Sequence, residues 1–254
     1  MDNTITVRNL VIGAGQPKIV VPIVGKNRVA ILESANEIAR MAIHMVEWRA
    51  DFYEGVHDTA SVVAILQELR EILSEVPILF TFRTPGEGGK QPISGEGYRA
   101  LNLAIAASGL ADLIDIEVFL NEQVHEIIAG IHAAGALVVA SNHDFAQTPC
   151  TEELVWRLRK MQAVGGDILK IAVMPNTLPD VLRLLAATHA MVTQYAQKPV
   201  VTMAMSAKGV ISRLSGEVFG SALTFGSVGE VSAPGQIPVD QLATVLEIIH
   251  RSLD

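Results

Sequence analysis

A (β/α)8 barrel with a short β-hairpin closing its floor is the fold that this sequence predicts, on three observations. The length of 254 residues is the usual size of a single α/β barrel. Eight short, β-branched apolar runs recur along the chain, at residues 19–24, 43–48, 78–82, 113–118, 136–140, 168–173, 200–204 and 222–225, each strand-like in length and composition. Segments of helical period lie between them. Such alternation implies parallel strands joined by right-handed crossovers, and eight units of it match a closed barrel. An open doubly wound sheet is the alternative, but its Gly-x-Gly-x-x-Gly signature is absent after the first run.

The elements follow in order. Residues 5–12 precede the first unit and are expected to form the floor hairpin. Between the second and third runs, Val62, Leu66, Leu69 and Leu73 recur at helical spacing behind the N-cap candidates of residues 58–61. Between the fourth and fifth runs, Val124, Ile127, Ile128 and Ile131 do the same, and Gly135 stands where a C-terminal glycine belongs. Leu154, Leu158 and Met161 follow Thr151, with Glu152 and Glu153 in the first turn, where the helix dipole favours them. The seventh crossover is short, residues 206–220. Pro238 suits the first turn of a last helix carrying Leu242, Val245, Leu246 and Ile249. No linker, low-complexity tract or charge block divides the chain, so residues 1–254 are expected to form one domain.

Composition narrows the function classes. Half of the residues are hydrophobic and 18% are charged, too apolar for a disordered chain. The formal charge of −8 and the lack of any basic run argue against nucleic-acid or anionic-membrane binding. Cys150 is the only cysteine, which rules out an intrachain disulfide and a cysteine-rich metal site. Residues 1–4 lack the features of a signal peptide. The longest apolar stretch, 127–140, is interrupted by His132 and falls short of a membrane span. A cytoplasmic protein is expected.

A barrel builds its active site at the C-terminal ends of the strands, so the polar residues there carry the functional reading. The second run ends in Glu47-Trp48-Arg49, the third in Arg83, and the fourth contains Glu117. The fifth runs into Ser141-Asn142-His143-Asp144, the sixth carries Lys170, and Lys208 and Arg213 follow the seventh. Lys170 is flanked by apolar residues on both sides. Burying an ammonium among such neighbours favours the neutral amine, a nucleophile able to attack a ketone or aldehyde. The plainer reading is a lysine that reaches the barrel rim or is neutralised by a carboxylate. His143, one strand earlier, suits proton transfer near neutrality, or else is a structural histidine satisfied by Asn142 and Asp144. Adjacent parallel strands would bring both residues to one mouth. Gly86, Gly88 and Gly89 have the composition of a phosphate cradle, but Glu87 among them would repel phosphate, and a mobile active-site loop fits better.

Taken together and in order, Glu47-Trp48-Arg49, Phe80-Thr81-Phe82-Arg83, Ser141-Asn142-His143-Asp144-Phe145, Lys170-Ile171-Ala172-Val173-Met174-Pro175, Gly209-Val210-Ile211-Ser212-Arg213 and Ser232-Ala233-Pro234-Gly235-Gln236 closely resemble type I 3-dehydroquinate dehydratases of the shikimate pathway. The resemblance spans nearly the whole chain. It implies a dimeric (β/α)8 lyase without metal or organic cofactor that dehydrates 3-dehydroquinate to 3-dehydroshikimate by syn elimination. It implies that Lys170 forms an imine with the substrate ketone, that His143 is the general acid/base, and that Glu87 supports His143. Glu47, Arg83, Arg213, Ser232 and Gln236 match the positions that hold the substrate's carboxylate and hydroxyls, with Arg49 as their supporting partner. Two places depart from the pattern. Pro22 stands where some relatives have a substrate-contacting serine, and the residues around Lys208 leave it without a role. A class I aldolase would also use a barrel lysine, but would commonly bind phosphorylated sugars through glycine loops after the seventh and eighth strands. A catalytically inactive barrel would fit loss of the lysine or histidine, and both are present.

Overall fold

The computed structural model describes residues 3–120, 123–228 and 235–253. The chain opens with an antiparallel hairpin, β1 (Ile5–Val7) and β2 (Leu10–Ile12). Eight parallel strands follow: β3 (Lys18–Ile23), β4 (Met45–Arg49), β5 (Ile78–Thr81), β6 (Leu113–Glu117), β7 (Leu137–Asp144), β8 (Ile168–Val173), β9 (Val200–Ala204) and β10 (Leu223–Ser227). Each expected run is a strand. Pairing runs in chain order from β3 to β9, and β10 pairs back onto β3. Between β9 and β10 the sheet closes through one parallel bridge, Val200 to Ser221, where the Ala222 N–H donates to the Val200 carbonyl at 2.8 Å.

Helices α1 (Arg28–Ile38), α2 (Thr59–Leu73), α3 (Gly95–Ser108), α4 (Val124–Ala133), α5 (Thr151–Ala163) and α6 (Leu178–Gln194) cover the outside of the barrel. Their starts and stops have local causes. Asp58 caps α2 by accepting from the Ala60 N–H, and Gly135 takes a φ of +87° just past α4, a conformation that glycine adopts without cost. The short seventh crossover holds only a 3-10 turn, α7 (Val210–Leu214) and α8 (Gly216–Phe219). At the C-terminus the structure differs slightly from expectation. Pro238 belongs to a two-residue strand, β11 (Ile237–Pro238), paired with Gly226 and Ser227, and α9 (Val239–Leu253) starts one residue later. Pairing with β10 claims the proline before the helix can. No helix among the described residues is long and apolar enough to cross a membrane.

Period-two alternation divides each barrel strand between two environments. Outward side chains such as Val21, Val46, Ile114 and Leu169 pack against the helices in the larger core. Inward side chains form a second cluster. Its lower part takes one residue from each barrel strand: Val20, Met45, Leu79, Leu113, Val139, Ile168, Val201 and Leu223. Val7 and Ile12 of the hairpin join this cluster from below, which is the expected floor closure. Burying such a side chain contributes about 1.5–3 kcal/mol. Arg8 ties the hairpin to the barrel through Asp112, at 2.7 Å, and Asp112 also accepts from Arg70 and from the Ile78 N–H. With the lower half of the barrel filled by hydrocarbon, the inward positions above it are where polar side chains collect.

Candidate active site

Going up the strands, the next inward residues are Glu47 and Arg49 on β4, Thr81 and then Arg83 from β5, Asp115 and Glu117 on β6, Ser141 and His143 on β7, and Lys170 on β8. The period of two turns one apolar strand sequence into a hydrocarbon floor and a charged ceiling. Of these, Glu47, Arg49, Arg83, His143 and Lys170 line a cavity of about 210 Å³ with apolar walls from Phe52, Phe145, Met203, Met205 and Phe225.

Lys170 is buried, with 4% of its surface exposed. It is not isolated among apolar groups. Its Nζ lies 3.3 Å from Glu47 Oε1 and 3.3 Å from Asp115 Oδ2, and 4.7 Å from the centre of the Phe225 ring. Carboxylate neighbours, one of the arrangements in the plainer reading of the sequence, are present beside it. Thr81 Oγ1 donates to Glu47 at 2.9 Å, and Ser141 Oγ donates to Asp115 at 2.6 Å, so both carboxylates are held in place.

Arg83 is the hub of the adjoining network. Its guanidinium is 2.7 Å from Asp115, 2.9 Å from Glu117 and 3.6 Å from Glu87, and it donates to Ser141 Oγ at 3.0 Å. Burial opposes its charge, but Asp115, Glu117, Glu87 and Glu47 outweigh burial and hold it protonated. Burial likewise opposes ionisation of Asp115, and Arg83, Lys170 and the Ser141 hydroxyl reverse that, bringing it below the usual carboxylate range.

Glu87 reaches the site on the turn after Arg83, a single 3-10 turn at Pro85–Glu87. Its glycines serve compactness. A Cβ on Gly89 would run into the Arg83 carbonyl, and Gly88 takes a φ of +89° against the Phe145 ring. Glu87 Oε2 accepts from His143 twice, from the backbone N–H and from Nδ1, each at 2.9 Å, while Oε1 accepts from Asn142 Nδ2 at 2.9 Å. Nε2 is therefore the imidazole nitrogen left to a ligand. Burial pushes the Glu87 carboxyl up to about 8. Burial, with Arg83, Lys170 and Arg49, holds the His143 imidazole well below its usual range. At 2.9 Å, Nδ1 and Oε2 are close enough for one proton to pass between them.

Arg213 projects from α7, which is fastened to β9. Ser212 Oγ accepts from the Ala204 N–H at 2.9 Å, and Thr224 Oγ1 donates to the Arg213 carbonyl at 2.9 Å. Burial lowers its guanidinium to about 10, and a ligand carboxylate would relieve that penalty. Arg49 is clamped by Asp51 at 2.8 and 3.0 Å and lies over the Phe52 ring. Gln236 joins the cavity wall from the C-terminal side.

Eight of the nine expected site residues thus meet at one cavity: Glu47, Arg49, Arg83, Glu87, His143, Lys170, Arg213 and Gln236. Ser232 lies outside the described residues, as do its neighbours in 229–234. Lys208 donates to the Asn176 carbonyl at 3.0 Å and does not line the cavity. The principal residue that the sequence reading passed over is Asp115. Its signal was there, since Asp115 and Glu117 are two residues apart in an apolar strand and so share one face.

Residues 19–253 match the family model described as type I 3-dehydroquinase. The 3-dehydroquinate dehydratase of Bacillus licheniformis is 50% identical over 254 residues, covering all of both chains. A crystal structure of type I 3-dehydroquinate dehydratase from Clostridium difficile, with covalently modified comenic acid, superposes with a TM-score of 0.97 at 48% identity and covers 99% of this chain and 100% of that one. The 3-dehydroquinate dehydratase of Geobacillus kaustophilus superposes with a TM-score of 0.95 at 41% identity, covering 98% of this chain and 96% of that one. Full-length identity at this level, on a barrel that gathers the shared motifs at one mouth, means that the chain belongs to the type I 3-dehydroquinase family.

Proposed function

We propose that this chain dehydrates 3-dehydroquinate to 3-dehydroshikimate through an imine on Lys170, with His143 as the proton carrier. The observation that carries this reading is a buried amine between two carboxylates, in the same cavity as a coupled histidine–glutamate pair. The reading includes a single catalytic domain, a homodimer in the cytoplasm, and no metal or organic cofactor.

The chemistry follows from the groups. Glu47, 3.3 Å away, can accept the ammonium proton of Lys170, freeing the amine to attack the substrate ketone. Loss of water from the adduct leaves a cationic iminium, an electron sink that acidifies the neighbouring C–H bond. His143 Nε2 takes that proton and an enamine forms. The enamine nitrogen's lone pair re-forms the iminium C=N bond while the enamine C=C pair forms the new alkene and expels the β-hydroxyl, which receives its proton from His143 and leaves as water. One group working on one face makes the elimination syn. Hydrolysis then returns Lys170. Arg213 is suited to the substrate carboxylate, and Gln236 and Ser232 to its oxygens. An absorbance assay for the conjugated enone of 3-dehydroshikimate tests the whole reading, and no product with this substrate would end it.

Two further results are expected. Glu87→Gln removes the anion that stabilises protonated His143. The imidazolium then loses its proton more readily, and the acid limb of the kcat profile should move to lower pH by about one unit or more. An unmoved limb would take Glu87 out of the proton transfer. The second concerns the loop after β10, whose ends are pinned by Gly226–Ile237 and Ser227–Pro238 pairing. Acting as a lid, it should show slower hydrogen exchange across residues 226–237 with product bound, and Gln236→Ala should raise KM about 10-fold. Unchanged exchange at saturating ligand together with unaltered kinetics would remove the lid.

A further inference from the structure

A chain of hydrogen bonds reaches the His143–Glu87 pair from outside the barrel. Arg157, on α5, donates from Nη1 to Asn142 Oδ1 at 2.9 Å. The same Asn142 amide donates from Nδ2 to Glu87 Oε1 at 2.9 Å, and Glu87 Oε2 accepts from His143 Nδ1. The chemistry of the partners dictates the amide's orientation. A guanidinium only donates and a carboxylate only accepts, so Asn142 must turn its oxygen to Arg157 and its nitrogen to Glu87. Arg157 is itself fixed by Glu153, one turn earlier on α5, at 2.8 Å.

We propose that Arg157 is a positioning residue for the catalytic pair, acting through the Asn142 amide. The proposal rests on the assignment of His143 as proton carrier. Asn142 has two amide orientations of similar shape. In one it presents an N–H to Glu87, and in the other it presents a carbonyl oxygen, which a carboxylate repels. Arg157 penalises the second orientation, because it would set an NH2 group against the guanidinium. Glu87 therefore keeps three N–H donors, and those donors favour its charged form.

The groups facing the pair are Arg49 from β4, Arg83 after β5, Asp115 and Glu117 from β6 and Lys170 from β8. Asp144 faces Arg157 at 3.7 Å. The first five stay in place when Arg157 is replaced and Asp144 loses its contact, so a shift in the pair's titration reports on the amide and on the charge around Arg157. Those two causes are separable. Arg157→Met removes both, whereas Arg157→Lys keeps the charge and a donor.

The test is the NMR titration of His143 in the unliganded enzyme, read beside the kcat profile with 3-dehydroquinate. Arg157→Met should raise the midpoint of the pair, and the acid limb with it, by about one pH unit. Arg157→Lys should restore most of the wild-type value. In an Asn142→Ala background, Arg157→Met should add little, because the route is already cut. An unmoved midpoint in Arg157→Met overturns the proposal. So does an undiminished shift in the Asn142→Ala background, which would assign the effect to the field of the charge. Because the NMR midpoint needs no turnover, an enzyme inactive on 3-dehydroquinate would fail the functional reading while leaving this measurement interpretable.

Discussion

Lys170→Ala is expected to abolish imine formation and to lower turnover by roughly 10⁴–10⁶-fold, the scale on which loss of a covalent nucleophile is felt. The check is borohydride reduction in the presence of 3-dehydroquinate followed by intact mass. The wild type should gain a reduced adduct at Lys170, and the variant should gain none. An adduct at any other lysine would end the assignment. The structure adds a cost that the strand sequence alone does not suggest. Without the ammonium, Glu47 and Asp115 are buried carboxylates that have lost a shared cation. Breaking a buried pair costs about 3–5 kcal/mol, so the variant should keep its fold and melt earlier. Lys170→Arg keeps the charge but cannot form an imine. It separates the two effects: turnover should remain absent, and much of the stability should return.

His143→Ala should fail at a different step. The amine, its two carboxylates and Arg213 are untouched, so the imine should form and borohydride should still trap it. Proton removal from the neighbouring carbon then has no agent. A loss of about 10²–10⁴-fold in kcat is expected, and the trapped fraction at steady state should exceed that of the wild type, because the imine waits ahead of the slow step. Wild-type turnover in this variant would remove His143 from the mechanism. Low turnover without a trapped adduct would assign it to imine formation instead.

The barrel is legible in the sequence because strands buried on both faces read as continuous apolar runs, and all eight runs are strands. Lys170 and His143 are legible for the related reason that a polar group in such a run needs an explanation. The partners are less so. Asp115 sits one position from apolar residues on either side, and only the inward alternation shared with Glu117 marks it. That Glu47 and Asp115 both reach Lys170 depends on how far neighbouring strands slide along one another on closing the barrel, a quantity no single strand encodes. Arg157 is harder still. On the sequence it is a basic residue of an amphipathic helix, and its contact with Asn142 exists only once α5 has docked on β7. Pro238 shows the reverse limit, where a sound local helix signal yields to a strand partner contributed by β10.

The two contacts of Lys170 have a consequence for how the protein comes into being. Its partners lie 123 and 55 residues away along the chain, among the contacts that cost most to close during folding. A nascent or partly assembled barrel that lacks β4 or β6 holds Lys170 with neither carboxylate and no enclosed cavity. Its side chain is then one amine among the others of the chain, with no special appetite for carbonyl compounds. On the reading that Lys170 forms the imine, its reactivity needs β4 and β6 in place beside β8. On that reading, capture of a carbonyl compound at this amine marks a barrel in which these strands have assembled.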